Sequence, residues 1–469
     1  MGCSDFMLFT RRRFLQNASA VGAFITTPAY ALPLVQPFSA FDATALPDNV
    51  ILAQSNGVVP GSPDDQTAAF QKLLNVSAER DAPVFLPGGV YKVSKLNFPR
   101  RTRLIGVPGA TRLAFTGVGY LAKAERADLI HIHGIIFDGL SFPLSEEGQG
   151  LLTVNTVRDL RLSSCDFVGS GLHGVDLVGA KGTIRNCRFR KIVDIAIFCK
   201  QSRGMTITDN DIADCGNGGI LVHRFTAGED GSVVTNNRIE GIKSVNGGTG
   251  QWGNGVNVYQ AHNVMVAQNR IADCAFSAVR INTGNGAQII GNNCSRSGET
   301  AIYGEFTFEG IIVANNIIDG GTIGISLANF NEGGRLATVS GNLIRNISNK
   351  LPYENPNHFQ PGVGIYAEAD TVISANAVEN TPLTGIHVGW GEFCRDVIVS
   401  SNVVRAVPWG VTASVVKGSR NVLIRDNVFS EISKQAVTGF EWVKPVTREL
   451  VGARRTGYDH LSVSGNRVT

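Results

Sequence analysis

The sequence predicts an all-β protein, a single-stranded right-handed parallel β-helix, because two short phrases alternate along most of the chain. The first phrase is an apolar alternating strand that ends in Asn and a further apolar residue, as in TITDNDI ending at Ile212 and IIVANNI ending at Ile317. The second phrase is a small residue followed by a strand, as in GVNVY from Gly255 and GIHVG from Gly385. An antiparallel β-sandwich is the alternative, but it predicts hairpin signals and not a fixed alternation of two phrases.

The Asn of the first phrase marks one corner of each predicted coil. Aligning on this position gives the column Cys165, Cys187, Asn210, Asn237, Asn269, Asn293, Asn316, Asn342, Asn376, Asn402, Asn427 and Asn466. Subtracting residue numbers, the steps run from 22 to 39 residues, which indicates a repeat whose turns accept insertions. Asn suits such a corner because it tolerates a left-handed backbone and its amide can bond the next coil, about 4.8 Å away.

The first 31 residues read as an export signal. TRRRFLQ from Thr10 is followed by the mildly apolar ASAVGAFITTPAY and a small-residue site at Ala31. The twin arginines and the following Phe-Leu resemble a twin-arginine translocation signal, which implies the translocase as a partner and a periplasmic or secreted location. A chance basic cluster before an apolar patch is the alternative. No other stretch is long and apolar enough for a membrane span.

Composition argues for a large core and against anionic partners. The chain has 469 residues, of which 43% are hydrophobic and 54 are Gly, with a formal charge of +3. Removing residues 1–31, with three arginines against Asp5, leaves about +1, so nucleic acid and anionic membranes are not expected as partners.

The cysteines are predicted to be buried thiols. Eight occur, and seven remain without Cys3. Cys199, Cys215 and Cys274 fall on inward positions. Cys165 and Cys187 lie on adjacent coils, but parallel side chains make poor disulfide geometry. No CxxC or Cys/His cluster points to a metal site.

The segment 32–126 is expected to form a lead, a capping helix and the first strands, and 127–469 the β-helix repeats. GSPDDQTAAFQKLLNVSAERDA from Gly61 predicts a helix capped by Asp64 or Asp65, with Ala68, Ala69, Leu73 and Leu74 on its apolar face. Irregular early coils follow, with Gly134 expected in the Asn column.

Three phrases near the N-terminus carry a family resemblance. They are DD-x-TAAF before the helix, V-x-LP-x-G-x-Y from Val84 and T-x-L-x-G from Thr102. Together they resemble the opening of the pectate-lyase-like superfamily, in which the helix caps the open end of the β-helix. The whole chain is most similar to exported, twin-arginine bacterial β-helix repeat proteins, and distantly to mannuronan epimerases. The chain lacks the Asp-Pro-His-Asp run of those epimerases, the polygalacturonase Asp/His set and a pectate-lyase calcium cluster. No activity therefore follows from the resemblance.

Two cycles are enlarged between the Asn corner and the Gly strand. They are GIKSVNGGTGQWGNG from Gly241 and RNISNKLPYENPNHFQPGVG from Arg345. Their aromatic and His residues, Trp252, Tyr353, His358 and Phe359, predict the walls of a binding cleft. Ordinary tolerated insertions are the alternative.

The Gly strands present two outward columns, because alternate residues of a strand face opposite sides. The first column is Asp176, Phe198, Leu221, Asn257, Arg280, Tyr303, Ser326, Tyr366, His387 and Thr412. The second column is Val178, Lys200, His223, Tyr259, Asn282, Glu305, Ala328, Glu368, Gly389 and Ser414.

This composition predicts a surface for an acidic polysaccharide. The predicted substrate-binding residues are Lys200, Asn257, Asn282, Tyr303, Glu305, Tyr366, Glu368, His387 and Trp390. A cation such as Arg280 would neutralise a uronate carboxylate, and His223 or Tyr259 would then remove the carbon-5 proton. The result would be β-elimination or epimerisation. Glu305 and Glu368 are about 9.6 Å apart by strand spacing, which allows inverting hydrolysis without favouring it.

Two other functions stay open. One is a non-catalytic carbohydrate-binding or envelope-structural β-helix. The other is a cofactor-binding exported protein, suggested only by the export route, with no cofactor indicated.

Overall fold

The computed structural model describes residues 49–248, 250–329, 333–351 and 361–469. The predicted signal at 1–31 and residues 32–48 of the lead lie outside these residues. The parallel β-helix is confirmed: the chain winds through three parallel sheets, and each strand pairs with the strand one coil before and one coil after it.

Sheet 1 holds the strands that precede the Asn corner. Apolar residues point inward from them, such as Ile207 and Val234, which are fully buried. The strands of sheet 1 are Ile51–Leu52, Val84–Leu86, Arg101–Gly106, Ala122–His133, Gly150–Ser163, Gly182–Arg185, Met205–Thr208, Val233–Thr235, Met265–Ala267, Gln288–Ile290, Glu309–Ala314, Arg335–Ser340, Ala369–Ser374, Arg395–Ser400, Arg420–Arg425 and Leu461–Ser464.

Sheet 2 holds the strands that follow the corner. Inside it, Phe137, Phe167 and Phe189 stack coil upon coil with ring centroids 4.9 and 4.8 Å apart, the strand spacing itself. The strands of sheet 2 are Gly89–Val93, Thr111–Phe115, Ile135–Asp138, Asp166–Ser170, Arg188–Ile192, Asp211–Cys215, Arg238–Ile242, Arg270–Cys274, Asn293–Ser295, Ile317–Asp319, Leu343–Arg345, Ala377–Glu379, Val403–Ser414, Val428–Glu441 and Arg467–Val468.

Sheet 3 is formed by the Gly strands. Four long strands turn a corner and belong to it in part: Ala122–His133, Gly150–Ser163, Val403–Ser414 and Val428–Glu441. Its remaining strands are Leu96–Phe98, His173–Val178, Ile195–Lys200, Gly218–Glu229, Asn254–His262, Val279–Asn282, Thr300–Glu305, Ile323–Ala328, Val363–Ala367, Thr384–Val388 and Lys444–Pro445.

The Asn corners form a ladder along the solenoid. From Asn210 onward, each side-chain Nδ2 donates to the Oδ1 of the Asn on the next coil at 2.9–3.0 Å, ending at Asn466. The prediction was wrong at one position: Asn292, and not Asn293, occupies the ladder. Asn293 pairs with Arg270 as the first residue of the next strand.

The left-handed backbone also belongs to a different residue than expected. It lies one position before each ladder Asn, for example at Asp209 with φ 58° and Asn315 with φ 57°. The ladder residue itself points inward, and its side-chain amide hydrogen-bonds backbone groups of the corner, as when Asn210 Nδ2 donates to the Ile184 carbonyl. Gly134 likewise takes the left-handed position, with φ 67°, and not the ladder position that the sequence predicted for it.

Helix α1, Thr67–Glu79, covers the N-terminal end of the core. The N-cap residue is Gln66, which makes no side-chain cap bond, so the predicted cap at Asp64 or Asp65 was wrong. The Asp65 carboxylate, one residue before the cap, accepts the Thr67 N–H at 2.7 Å. Phe70 is buried and meets the Tyr91 ring edge-on at 6.5 Å, a contact that the sequence did not predict. The predicted apolar face was wrong at Ala68, which is exposed.

The opposite end is closed by the chain turning back on itself. After Val428–Glu441, the strand Lys444–Pro445 pairs antiparallel with it. The Glu449 carboxylate then accepts the N–H groups of Ala436 and Val437 at 2.6 and 3.0 Å. These bonds satisfy donors on the last strand of sheet 3 that another coil would otherwise have bonded.

The seven described cysteines are free and buried, as predicted. Burial raises the pKa of Cys215 and Cys294 to about 12, so both thiols stay protonated. No described helix is both long and apolar enough to cross a membrane.

Candidate functional site

The strand register brings the predicted site residues together on the outer face of sheet 3. Lys200, His223, Tyr259, Asn282 and Glu305 follow one another on successive strands. These residues belong to the second column. In the first column, Asn257 pairs with Arg280, Arg280 with Tyr303, and Tyr366 with His387. Glu368 and Trp390 lie just beyond the ends of their strands. We call these two columns, from Asp176 to Ser414, the sheet 3 strip.

Facing outward does not leave the polar groups of the strip open to solvent. Glu305, Asp176 and Asn257 are only 2%, 1% and 4% exposed. Most of the rings are half-buried, whereas Tyr259 is 38% exposed. The strip therefore combines half-buried aromatic rings with buried polar groups that the protein holds in place.

The first enlarged loop forms part of the cover. The Asn257 amide donates to the Gln251 carbonyl at 3.1 Å. Gly250 has φ +123°, and a Cβ there would lie 1.5 Å from Nη1 of Arg280, so only Gly fits against the guanidinium. The Tyr353, His358 and Phe359 side chains of the second enlarged loop lie outside the described residues.

Arg280 and Glu305 form the centre of the strip. Nε and Nη2 of Arg280 both lie 2.7 Å from Oε1 of Glu305. The Asn282 amide donates to the same oxygen at 2.8 Å. The guanidinium also lies over the Tyr303 ring, 5.4 Å from its centroid. The positive charge expected to face a substrate carboxylate is thus already paired within the protein.

A second ion pair lies toward the N-terminal end of the strip. Lys200 Nζ is 2.6 Å from the buried Asp176 carboxylate and 4.8 Å from the Phe198 ring centroid. Burial raises the pKa of Asp176, against the opposing effect of Lys200. Within the two columns, three carboxylates, including Glu368, face two cations, so the strip carries no excess positive charge.

The histidines of the strip are neutral at physiological pH. Burial, with a contribution from Lys200, lowers the pKa of His223 to about 4. His223 contacts the rings of Phe198 and Tyr259 edge-on, with centroids 5.2 and 5.6 Å away. Burial also lowers the pKa of His387 to about 4.

Two tyrosines of the strip, Tyr303 and Tyr366, stay protonated at neutral pH. Burial, helped by neighbouring carboxylates, raises the pKa of both Tyr303 and Tyr366. The Tyr366 hydroxyl donates to Oε1 of Glu368 at 3.2 Å, and the Asn329 N–H donates to Oε2 at 2.8 Å. Tyr366 stacks on His387 with centroids 5.1 Å apart.

Sequence reasoning missed three aromatic residues at the C-terminal end of the strip. Phe440 pairs with Ser414 and so extends the second column by one coil, which continuing the register would have found. Trp409 meets Phe440 edge-on at 5.4 Å. Trp442 lies in the hairpin after the last Gly strand, where no repeat signal reaches.

Two grooves, of about 280 and 400 Å³, lie on the outer face of sheet 1. Asp159 there accepts from His131 at 2.9 Å and from Arg161 at 3.0 Å, so these polar groups satisfy one another. Within the ranges that the structure describes, no group of three or more His, Cys, Asp or Glu residues could hold a metal ion.

The coil geometry defines a parallel β-helix protein with a polar and aromatic strip on one outer face. The chain belongs to the family described as right handed beta helix region, whose model matches residues 144–250 and 229–404, together more than half of the chain. The predicted fold resemblance is thereby confirmed. The twin-arginine signal stays a prediction.

Several solved structures are similar to this chain at low sequence identity. An N-terminal fragment of bacteriophage Phi29 gene product 12 is 15% identical, with a TM-score of 0.52, over 89% of this chain and 70% of that one. PfbA, a surface adhesin of Streptococcus pneumoniae, is 13% identical with a TM-score of 0.47, over 88% of this chain and 98% of that one. The A-module of the Azotobacter vinelandii mannuronan C-5 epimerase AlgE6 is 13% identical with a TM-score of 0.40, over 89% and 99%. No curated protein matches the chain.

Proposed function

We propose that this protein binds a polysaccharide along the sheet 3 strip. The observation that carries the proposal is the repetition of one arrangement, half-buried rings above fixed amides and carboxylates, from strand to strand. Aromatic rings bury the C–H faces of sugar rings, while rigid polar groups bond the hydroxyls. Because the groups are held by protein contacts before any ligand arrives, little freedom is lost on binding.

The length of the strip favours a polymer over a small molecule. Asp176 and Thr412 belong to the same column, nine strand steps apart by the pairing register. At about 4.8 Å per step, the strip is about 43 Å long. A ligand that uses its whole length must be an extended chain.

In its finer form the proposal makes the polymer acidic and the protein a lyase or epimerase. A pKa of about 4 leaves His223 unprotonated at neutral pH, but it also makes the imidazole a weak base, so His223 gives this form little support. The ion pairs of Arg280 and Lys200 oppose it, since a uronate carboxylate would have to compete with Glu305 and Asp176. The charge balance thus favours recognition over elimination.

Hydrolysis has less support. Oε1 of Glu305 is bonded by Arg280 and Asn282, and both oxygens of Glu368 accept hydrogen bonds from the protein. Neither carboxylate is presented to an attacking water. A polysaccharide ligand also fits the export that the N-terminal arginines predict.

Binding of residues 32–469 to neutral and acidic polysaccharides by affinity electrophoresis and calorimetry tests the proposal. We expect Tyr259→Ala to weaken binding about tenfold, which corresponds to about 1.4 kcal/mol for one exposed ring. Val428→Ala, at a similarly exposed position on sheet 2, is the matched control and should bind as the native protein does.

Two further readouts separate the forms of the proposal. A rise in absorbance near 232–235 nm with an acidic polymer, lost in His223→Gln, would establish elimination. Binding that weakens steeply with salt would indicate an acidic ligand, and binding insensitive to salt a neutral one. If no polymer binds, or if Tyr259→Ala and Val428→Ala behave alike, the proposed function is wrong.

A further inference from the structure

Two tryptophans lie exposed beside each other at the C-terminal end of the strip. The ring centroids of Trp390 and Trp442 are 5.4 Å apart, with the planes at 75°. The two residues are 38% and 44% exposed, and Val443 and Val446 next to them are 39% and 44% exposed. Large apolar side chains grouped on a surface mark a contact site more often than a stabilising feature.

The pair is held by the fold and not by chance side-chain positions. Trp390 is separated from the strand Thr384–Val388 by one residue. The carbonyl of the residue after it, Gly391, accepts from Ser414 Oγ at 2.6 Å and from Ser419 Oγ at 3.1 Å. Trp442 lies in the hairpin that pairs Glu441 with Lys444. The outer edge of its indole lies against Gly391: a Cβ at that position would be 2.3 Å from the ring.

The other rings at this end have no open face of comparable size. Lys434 Nζ lies over the Trp409 ring, 3.7 Å from its centroid. Phe440 is only 5% exposed and contacts both Trp409 and His387. The described rings here therefore divide into a covered set that supports the hairpin and the two indoles that face outward.

We propose that Trp390 and Trp442 form a subsite for one sugar ring at the C-terminal end of the strip. Two indoles nearly at right angles offer one ring a face to stack on and a wall against its edge. No charge is needed, so the subsite suits the apolar face of a pyranose. This inference rests on the proposed function, because it places one further unit of the same polymer.

A ladder of oligosaccharides of increasing length, cut from a polymer that the native protein binds, tests the subsite. We expect Trp442→Ala to leave the affinity for the shortest binding oligosaccharides unchanged and to weaken the longer ones about tenfold. Trp442→Phe should recover part of that loss. Val428→Ala, at an exposed apolar position on sheet 2, is the control and should bind every length as the native protein does.

Failure of the subsite and failure of the proposed function give different results. If Tyr259→Ala weakens binding while Trp442→Ala changes no length, the subsite is wrong and the proposed function stands. If the native protein binds no oligosaccharide, both are wrong. If the native protein self-associates in sedimentation and Trp442→Ala abolishes only that, the pair is a contact between copies, and the sugar subsite is overturned.

A second variant guards against a folding artefact. Gly391→Ala displaces the Trp442 indole without removing it, and should shorten the binding profile in the same way. Thermal melting followed by circular dichroism checks that both variants are folded. A folded Gly391→Ala protein with the native length profile would contradict the subsite.

Discussion

The Asn ladder can be tested at its centre with Asn316→Ala. The Asn316 amide donates to the Ile289 carbonyl at 2.9 Å and to Oδ1 of Asn342 at 3.0 Å. Its own Oδ1 accepts from the backbone N–H and the side-chain amide of Asn292, at 2.9 and 3.0 Å. The substitution removes all four bonds at once.

The expected loss follows from these contacts. Four hydrogen bonds at about 1 kcal/mol each give about 4 kcal/mol. The buried Asn292 N–H loses the acceptor that the ladder supplied, which adds about 1–3 kcal/mol. We therefore expect Asn316→Ala to lower the free energy of unfolding by about 5–7 kcal/mol.

The neighbouring residue provides the control. Asn315 is exposed and has φ 57°, so Asn315→Ala costs only the strain of a left-handed Ala, about 1–2 kcal/mol. Urea unfolding followed by far-UV circular dichroism compares the two variants through their midpoints and slopes. If Asn316→Ala is no more destabilising than Asn315→Ala, the ladder does not stabilise the coils as argued here.

Three further outcomes are expected. Arg280→Gln should destabilise the protein by about 3–5 kcal/mol in urea unfolding, because Glu305 stays buried without its ion pair. Arg280→Met combined with Glu305→Gln should recover most of that loss. Equal destabilisation by the single and the double variant would contradict this. His387, with a pKa of about 4 in the folded state, binds fewer protons there than in the unfolded state between pH 4 and 6.5. Stability should therefore fall as the pH drops through that window, by at most about 1.4 kcal/mol per pH unit for this residue, and His387→Gln should flatten the melting-temperature profile; an unchanged slope would refute the assignment. Gly250→Ala should displace Arg280 and weaken polymer binding in calorimetry. Gly247, also at positive φ, has open space around it, so Gly247→Ala should bind normally. Equal binding by both variants would exclude Gly250 as a support of the strip.

The strip residues could be predicted from the sequence because each coil contains one Gly phrase. Once that phrase is aligned, strand alternation places Arg280, Glu305 and His387 on the same outer face. Their burial could not be predicted, since it depends on how the loop around Gly250 lies across the sheet. The ion pair of Arg280 with Glu305 could have been predicted. The two residues lie on adjacent strands, two positions apart in the register, and a long Arg side chain spans that distance.

The errors at the corner have one physical origin. Asn292 and Asn293 are identical in type, and only the pairing of Arg270 with Asn293 decides which side chain points into the ladder. The left-handed residue before it varies among Asp, Asn, Gln, Gly, Ala and Ser, so composition marks it poorly. Trp442 escaped prediction for another reason: the hairpin that carries it follows the last Gly phrase and belongs to neither repeated phrase.

The ladder also determines where this solenoid can change over evolutionary time. From the strand Met205–Thr208 onward, every turn from sheet 1 to sheet 2 has two residues, the last one before Arg467–Val468. A third residue in such a turn would separate one ladder amide from the next. Length variation is confined to the other two corners, and these flank the strip. New ligand specificities could thus arise by lengthening or exchanging rim loops while the coil register is inherited unchanged, and the same two corners are where a designer could graft foreign loops.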